Sequence, residues 1–216
     1  MRLGLADLLF ALARGPRTLE GYTRTRRHRR IMREATRYGI ADMPESTVGK
    51  IVGRVRPLQK TLLEAPLTGR LCVYYEACID AMMGATRLRT IVIEQEGMPF
   101  QVDDGSGRAL IDPAHARIST GIDSITRSTL KLHSERQREL LVRHDIRRMY
   151  VPSADSLRYR EAILECDELV AVVGGGIRER DLEATPDNYR DIMATRLCFY
   201  GTEKYPLLIS DDPRAL

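Results

Sequence analysis

Four groups of side chains in this 216-residue chain have the types and spacing that chemistry uses. The run Asp103-Asp104-Gly105-Ser106-Gly107 places two carboxylates and a hydroxyl in a glycine-rich loop. It lacks the alternating oxygen ligands and the distal Glu of a calcium loop, so it reads as a tight turn. Gly174-Gly175-Gly176 follows an apolar run, but without the spacing that cradles a phosphate; it reads as the stop of a strand. His115 stands close to Asp112, a pairing suited to acid–base work, yet no nucleophile motif accompanies it and a structural role is expected. Cys72, Cys78, Cys166 and Cys198 form no C-x-x-C, and His28, His115, His133 and His144 are scattered. Tetrahedral zinc needs four ligands brought close, so no metal site and no cofactor are expected. The thiols read as buried and free, with a Cys72–Cys78 disulfide open if the chain is exported. No catalytic residue emerges.

The elements that would position these groups follow from charge and periodicity. Ten arginines fall within residues 1–37 against Asp7, Glu20 and Glu34, a local charge of +7. With a net charge of +4 overall, the rest of the chain is slightly acidic, so the basic isoelectric point belongs to the leader. Leu5, Leu8, Leu9 and Leu12 follow the i, i+3, i+4, i+7 pattern of an amphipathic helix. Gly15-Pro16 ends it, and a dense arginine run through Arg26, Arg27, Arg29 and Arg30 follows. Four readings of residues 1–40 stand open: a helix lying on an anionic membrane surface, a degenerate export signal, a nucleic-acid contact, or a solvated helix packing on the body. The stretch Leu3–Ala13 is too short to span a bilayer and contains Asp7. The expected location is therefore cytoplasmic or peripheral to a membrane.

Ala41–Ser46, with Pro44, reads as a linker into a body spanning 41–216. Strands are expected at 47–55, 71–76, 90–94, 169–173, 194–200 and 206–210, with a turn at 65–70. Phe100–Pro113 reads as a hairpin around an Asp-Gly turn. Ser134 and Gln137 have the spacing of a capping box, which predicts a helix over about 135–145. Many short strands with turn signals and one helix imply a β-rich α+β body: a small OB-like or partly closed antiparallel β-barrel with an inserted helix, behind a basic helical leader. The 43% hydrophobic and 30% charged fractions are those of a folded chain. Aromatics at 6% with no Trp argue against a stacking platform for single-stranded nucleic acid.

Several segments resemble, in order and spacing, the GIDE-type domain. They are Val48–Gly53, Ala65-Pro66-Leu67-Thr68-Gly69-Arg70 followed by Cys72-Val73-Tyr74-Tyr75-Glu76, Phe100–Gly107, Tyr159–Leu164 and Leu207–Asp211. That domain occurs in the mitochondrial outer-membrane ubiquitin ligase and in bacterial relatives. The resemblance covers roughly 47–212. It implies a non-catalytic, membrane-adjacent interaction or scaffolding domain with a protein or peptide partner. In the eukaryotic family a RING module follows the domain and carries the ligase function; here the sequence ends at Leu216, so ligase chemistry would rest on the resemblance alone. A nucleic-acid-binding barrel using the arginine-rich leader is the remaining alternative. Glu76 and Glu161 occupy family-like positions and are expected to serve an ion pair or hydrogen bond.

Overall fold

The computed structural model describes residues 20–83, 87–128, 133–146, 157–180 and 195–216, and the chain is mainly β. It divides into two compact units, one nested in the sequence of the other. The first holds residues up to 60, 98–120 and 166–216; the second holds 61–97 and 121–165.

The first unit is built on a barrel. Its strands are β1 (Val48–Pro57), β6 (Phe100–Asp103), β7 (Arg108–Asp112), β11 (Leu169–Arg180) and β12 (Thr195–Tyr200). They run in the order β1-β6-β7-β12-β11, and β1 pairs back onto β11 to close the ring. The expected antiparallel barrel is corrected in one respect: β7 and β12 pair in parallel, so the barrel is mixed. Two further strands, β13 (Leu207–Ser210) and β8 (Ala116–Ser119), extend from β11.

The continuous run Val170–Val173 is explained by burial on both sides of its strand, while Leu169 before it is exposed. Ala171 and Val173 join Val52 and Leu208 in one apolar cluster, and alternation turns Val170 and Val172 to the other face, where they are also fully buried. The glycines after this run do not stop the strand, as the sequence reading had it. β11 continues through them to Arg180. A Cβ on Gly174 would run into Leu207, and one on Gly176 would come within 2.7 Å of Leu197. Glycine is therefore selected by crowding from neighbouring strands.

Helix α1 (Glu20–Glu34) belongs to this unit. His28, Ile31, Met32 and Ala35 are buried, at the i, i+3, i+4, i+7 spacing of one helix face. Ile31, Met32 and Ala35 pack with Val52, Ala171, Val173, Leu208 and Ala215. The boundary placed at residue 41 therefore cuts through a packed cluster, because the arginine run carries an apolar stripe on its other side. The segment read as a linker is likewise strapped down. The Arg178 guanidinium donates to the carbonyls of Ile40 (3.2 Å) and Ala41 (2.7 Å), and its backbone N–H donates to Glu45.

The second unit is a four-stranded antiparallel sheet in the order β5-β4-β10-β9, plus a short ribbon. The sheet strands are β4 (Tyr74–Met83), β5 (Arg87–Gly97), β9 (Ser124–Ser128) and β10 (Leu157–Leu164). The ribbon pairs β2 (Leu63–Glu64) with β3 (Leu71–Cys72). Helix α2 (Glu135–Arg143) opens with the expected capping box, Ser134 and Gln137 bonding each other's backbone. Its Leu140 and Leu141 pack on Ala77, Ile79, Ala81, Val92, Leu157 and Tyr159. The inserted helix thus packs on the sheet of its own unit.

Candidate interaction surface

The residues with chemical potential are mostly spent inside the fold. In the loop between β6 and β7, the Asp104 carboxylate accepts N–H bonds from Ile40 (2.8 Å), Ser106 (2.8 Å) and Gly107 (3.1 Å), and the Ser106 hydroxyl at 2.7 Å. Burial works against its ionisation, but these donors win and hold its pKa below the usual carboxylate range. Ser106 Oγ also accepts from the backbone of Ala41. The loop is a clip for the Ile40–Ala41 segment, its oxygens filled by donors where a cation would need them free. Asp112 caps the short 3-10 helix Pro113–His115 by accepting from the Ala114 N–H, and His115 is exposed.

The same holds in the second unit. Glu161 is 1% exposed, and its carboxylate accepts from the backbone N–H groups of Leu67 (2.6 Å) and Thr68 (3.0 Å). It therefore pins the Ala65–Arg70 turn, which Gly69 completes at φ 74°. Arg70 closes the arrangement by pairing with Glu165 and Asp123. Buried Asp80 on β4 accepts from Thr90 (2.6 Å), Arg158 (2.8 Å) and Arg160 (2.8 Å). Its desolvation is outweighed by these bonds, led by Arg160, and its pKa lies below the ordinary value. The Glu94 carboxylate meets Arg143 (2.5 Å), His144 (2.6 Å) and the Tyr75 hydroxyl, which also reaches Glu96.

The cysteines form no disulfide, Cys72 and Cys78 included. Burial first, then neighbouring carboxylates, push the Cys72 thiol up to about 12 and the Cys78 thiol up to about 11. Thiolate is the nucleophilic form, so both are inert near neutral pH. Among the described residues, no group of three or more His, Cys, Asp or Glu is placed to hold a metal ion.

Among the outward-facing groups are charge on α1 and apolar side chains on the open sheet. Arg29, Arg30 and Arg33 lie on the exposed side of α1, opposite the Ile31–Met32 stripe, and Arg37 is exposed just beyond it. Arg29 pairs with Asp212 at 3.0 Å and Arg30 with Glu34 at 3.2 Å. Arg27 is half-buried, and Arg26 falls within α1. Leu5, Leu8, Leu9 and Leu12 lie outside the described residues. So two of the expected contact residues, Arg29 and Arg30, share an exposed face with Arg33.

The row Ile93–Cys78–Arg160–Ile125, crossing all four strands of the open sheet, was not anticipated. Ile93 is 61% exposed and Ile125 57%. A run such as Ser-Ile-Thr-Arg-Ser has too little apolar pattern to announce an edge strand. Among the described residues, no helix is long and apolar enough to cross a membrane. No protein-family model, no curated protein and no solved structure matches the chain.

Proposed function

We propose that the chain is a non-catalytic, membrane-adjacent interaction domain of the GIDE type, which turns the basic face of α1 toward an anionic surface. The observation that carries this reading is the anchoring of α1. Ile31 and Met32 are fully buried against the barrel, while Arg29, Arg30 and Arg33 point the other way. A docked helix has already lost its conformational freedom, so binding through it orders little more of the chain. The two ion pairs on this face are exposed or partly so, and such pairs are worth about 0–1 kcal/mol, so lipid phosphates can displace them. Each arginine brought to an anionic leaflet contributes about 1 kcal/mol, and salt screens that attraction. The non-catalytic part of the reading is supported by the internal use of Asp104, Asp112 and Glu161 and by the inert thiols.

Co-sedimentation with phosphatidylcholine vesicles, with and without phosphatidylserine, tests this. The full chain should bind the phosphatidylserine vesicles at low salt and release at high salt. Arg29→Gln/Arg30→Gln/Arg33→Gln should lose most of the low-salt binding without a change in melting temperature of more than a few degrees. Equal binding to both vesicle types, or none to either, would remove the membrane from the proposal.

A further inference from the structure

Strand β5 is paired on one side by β4, and among the described residues no strand lies along its other side. At 11 residues it is a long edge, and long edges invite pairing with another chain. It carries a β-bulge, where Ile79 opposite Val92 steps to Asp80 opposite Thr90 and skips Ile91. The bulge changes which residues share a face. In a regular strand, positions 87 and 89 would face one way and 94 and 96 the other. Here Arg89 registers with Ala81 and Glu94 with Ala77, and both alanines lie on the face covered by α2. Positions 87, 89, 94 and 96 are thereby brought into one phase. Two arginines occupy one end and two glutamates the other, spaced symmetrically about the Ile91–Val92 step.

We infer that β5 pairs antiparallel with β5 of a second copy of this chain, about a two-fold axis between Ile91 and Val92. In that register Arg89 opposes Glu94 of the second copy and Arg87 opposes its Glu96, and symmetry makes each pair twice. Thr90 opposes Ile93, and bulge meets bulge, so neither strand slips. A two-fold axis normal to a sheet requires opposing residues to lie on the same face, and for this odd register only the bulge allows it. The strand is accessible: Arg89, Thr90 and Glu96 are exposed, as is Ile93. Glu94 keeps its bonds to Arg143 and His144, because a carboxylate has about four acceptor sites. Main-chain groups along both edges, which no described strand pairs, gain partners, and each four-stranded sheet becomes half of a continuous one.

Sedimentation of the full chain over a concentration series tests the pairing. The unmodified chain should dimerise. Arg87→Glu alone and Glu96→Arg alone should each weaken the dimer by about tenfold, because two favourable cross-strand pairs become repulsive. An equimolar mixture of these two variants should regain the original affinity, since each then meets its opposite charge. Mixing Thr90→Cys with Ile93→Cys should give an interchain disulfide on oxidation. Neither should cross-link alone, because each residue lies roughly 10 Å from its own copy in this register, beyond disulfide reach. Thermal melts of each variant check that it folds, and the cysteine pair leaves all four charges in place. A monomeric chain at the highest soluble concentration, a dimer indifferent to both reversals, or a cysteine mixture that does not cross-link would overturn the inference.

Discussion

The barrel and the four-stranded sheet solve the same problem in opposite ways. In the barrel, β1 meets β11 over seven residue pairs and the ring has no edge. Its polar groups serve the barrel's own fastening: Asp104 and Arg178 bind the chain entering β1, and the buried Lys50 ammonium donates to the Ala215 carbonyl at 3.1 Å. In the sheet, buried Asp80 bridges Arg158 and Arg160 across two neighbouring strands, and both outer strands have one open side among the described residues. Closure leaves a barrel no edge of its own to offer, so the proposed contact is placed on what is attached to it, α1; an open sheet keeps an edge, where the proposed strand pairing is placed.

Removing what is attached to the barrel has the largest expected effect. Residues 41–216 alone should not melt cooperatively as a barrel, since Ile31, Met32 and Ala35 fill a cluster on β1, β11 and β13. A charge-driven reading, with its boundary at residue 41, expects the reverse. Differential scanning calorimetry of the truncated and full chains decides between them. A gentler version, Ile31→Ala, should cost about 2–5 kcal/mol in denaturant unfolding, as expected for emptying a fully buried aliphatic site.

The sheet is tested through its buried carboxylate. Asp80→Asn should destabilise by about 3 kcal/mol, because Arg158 and Arg160 lose a charged partner while remaining largely covered. The pH dependence has a definite sign. The folded pKa of Asp80 is depressed, so its contribution is complete above the unfolded value of about 3.9 and is lost as pH falls through the lower folded value. Urea midpoints taken from pH 6 downward should therefore fall less steeply below about pH 4 in Asp80→Asn than in the unmodified chain.

Crowding within the barrel is the next smaller effect. Gly174→Ala should cost about 1–3 kcal/mol by pressing a methyl group into Leu207 and Phe199. Gly175→Ala, where a Cβ meets nothing within 4 Å, should cost less than the same change one residue earlier. Equal losses at the two positions would show that strand propensity, and not contact, selects these glycines. The smallest effect belongs to the surface of α1. Arg30→Gln should change stability by no more than about 0.5 kcal/mol, as its partner is an exposed glutamate one turn on.

These same residues show what could be read in the chain. Strand β1, the hairpin of β6 and β7, and the capped start of α2 were legible because each is announced by neighbours in sequence: alternation, an Asp-Gly turn, a Ser and a Gln three apart. The glycines of β11 were misread because their neighbours Leu207 and Leu197 are distant in sequence and no local signal names them. The stripe of Ile31, Met32 and Ala35 was masked by arginines, whose charge dominates a reading by composition while periodicity carries the packing. Strand β9 had no pattern to read, since every side chain from Ile125 to Arg127 is exposed and its pairing with β10 is non-local. The roles of Asp104 and Glu161 as acceptors for backbone N–H groups were visible only in outline, because their donors arrive from segments 64 and 94 residues away.

The nesting of one unit inside the other also sets an order of birth. β1 leaves the ribosome long before β11, which closes the ring against it, and every element of the sheet unit emerges in between. At synthesis rates of about 5–20 residues per second, β1 waits roughly 6–20 s for its closing partner. During that interval Ile51, Val52 and Val55 have no ring to enter, and the sheet itself is completed only at the end of it, when β10 emerges just ahead of β11. The segment most exposed to chaperones and to misassociation on the nascent chain is therefore the earliest strand of the barrel, and slowing translation between residues 98 and 169 should lower the soluble yield through that strand.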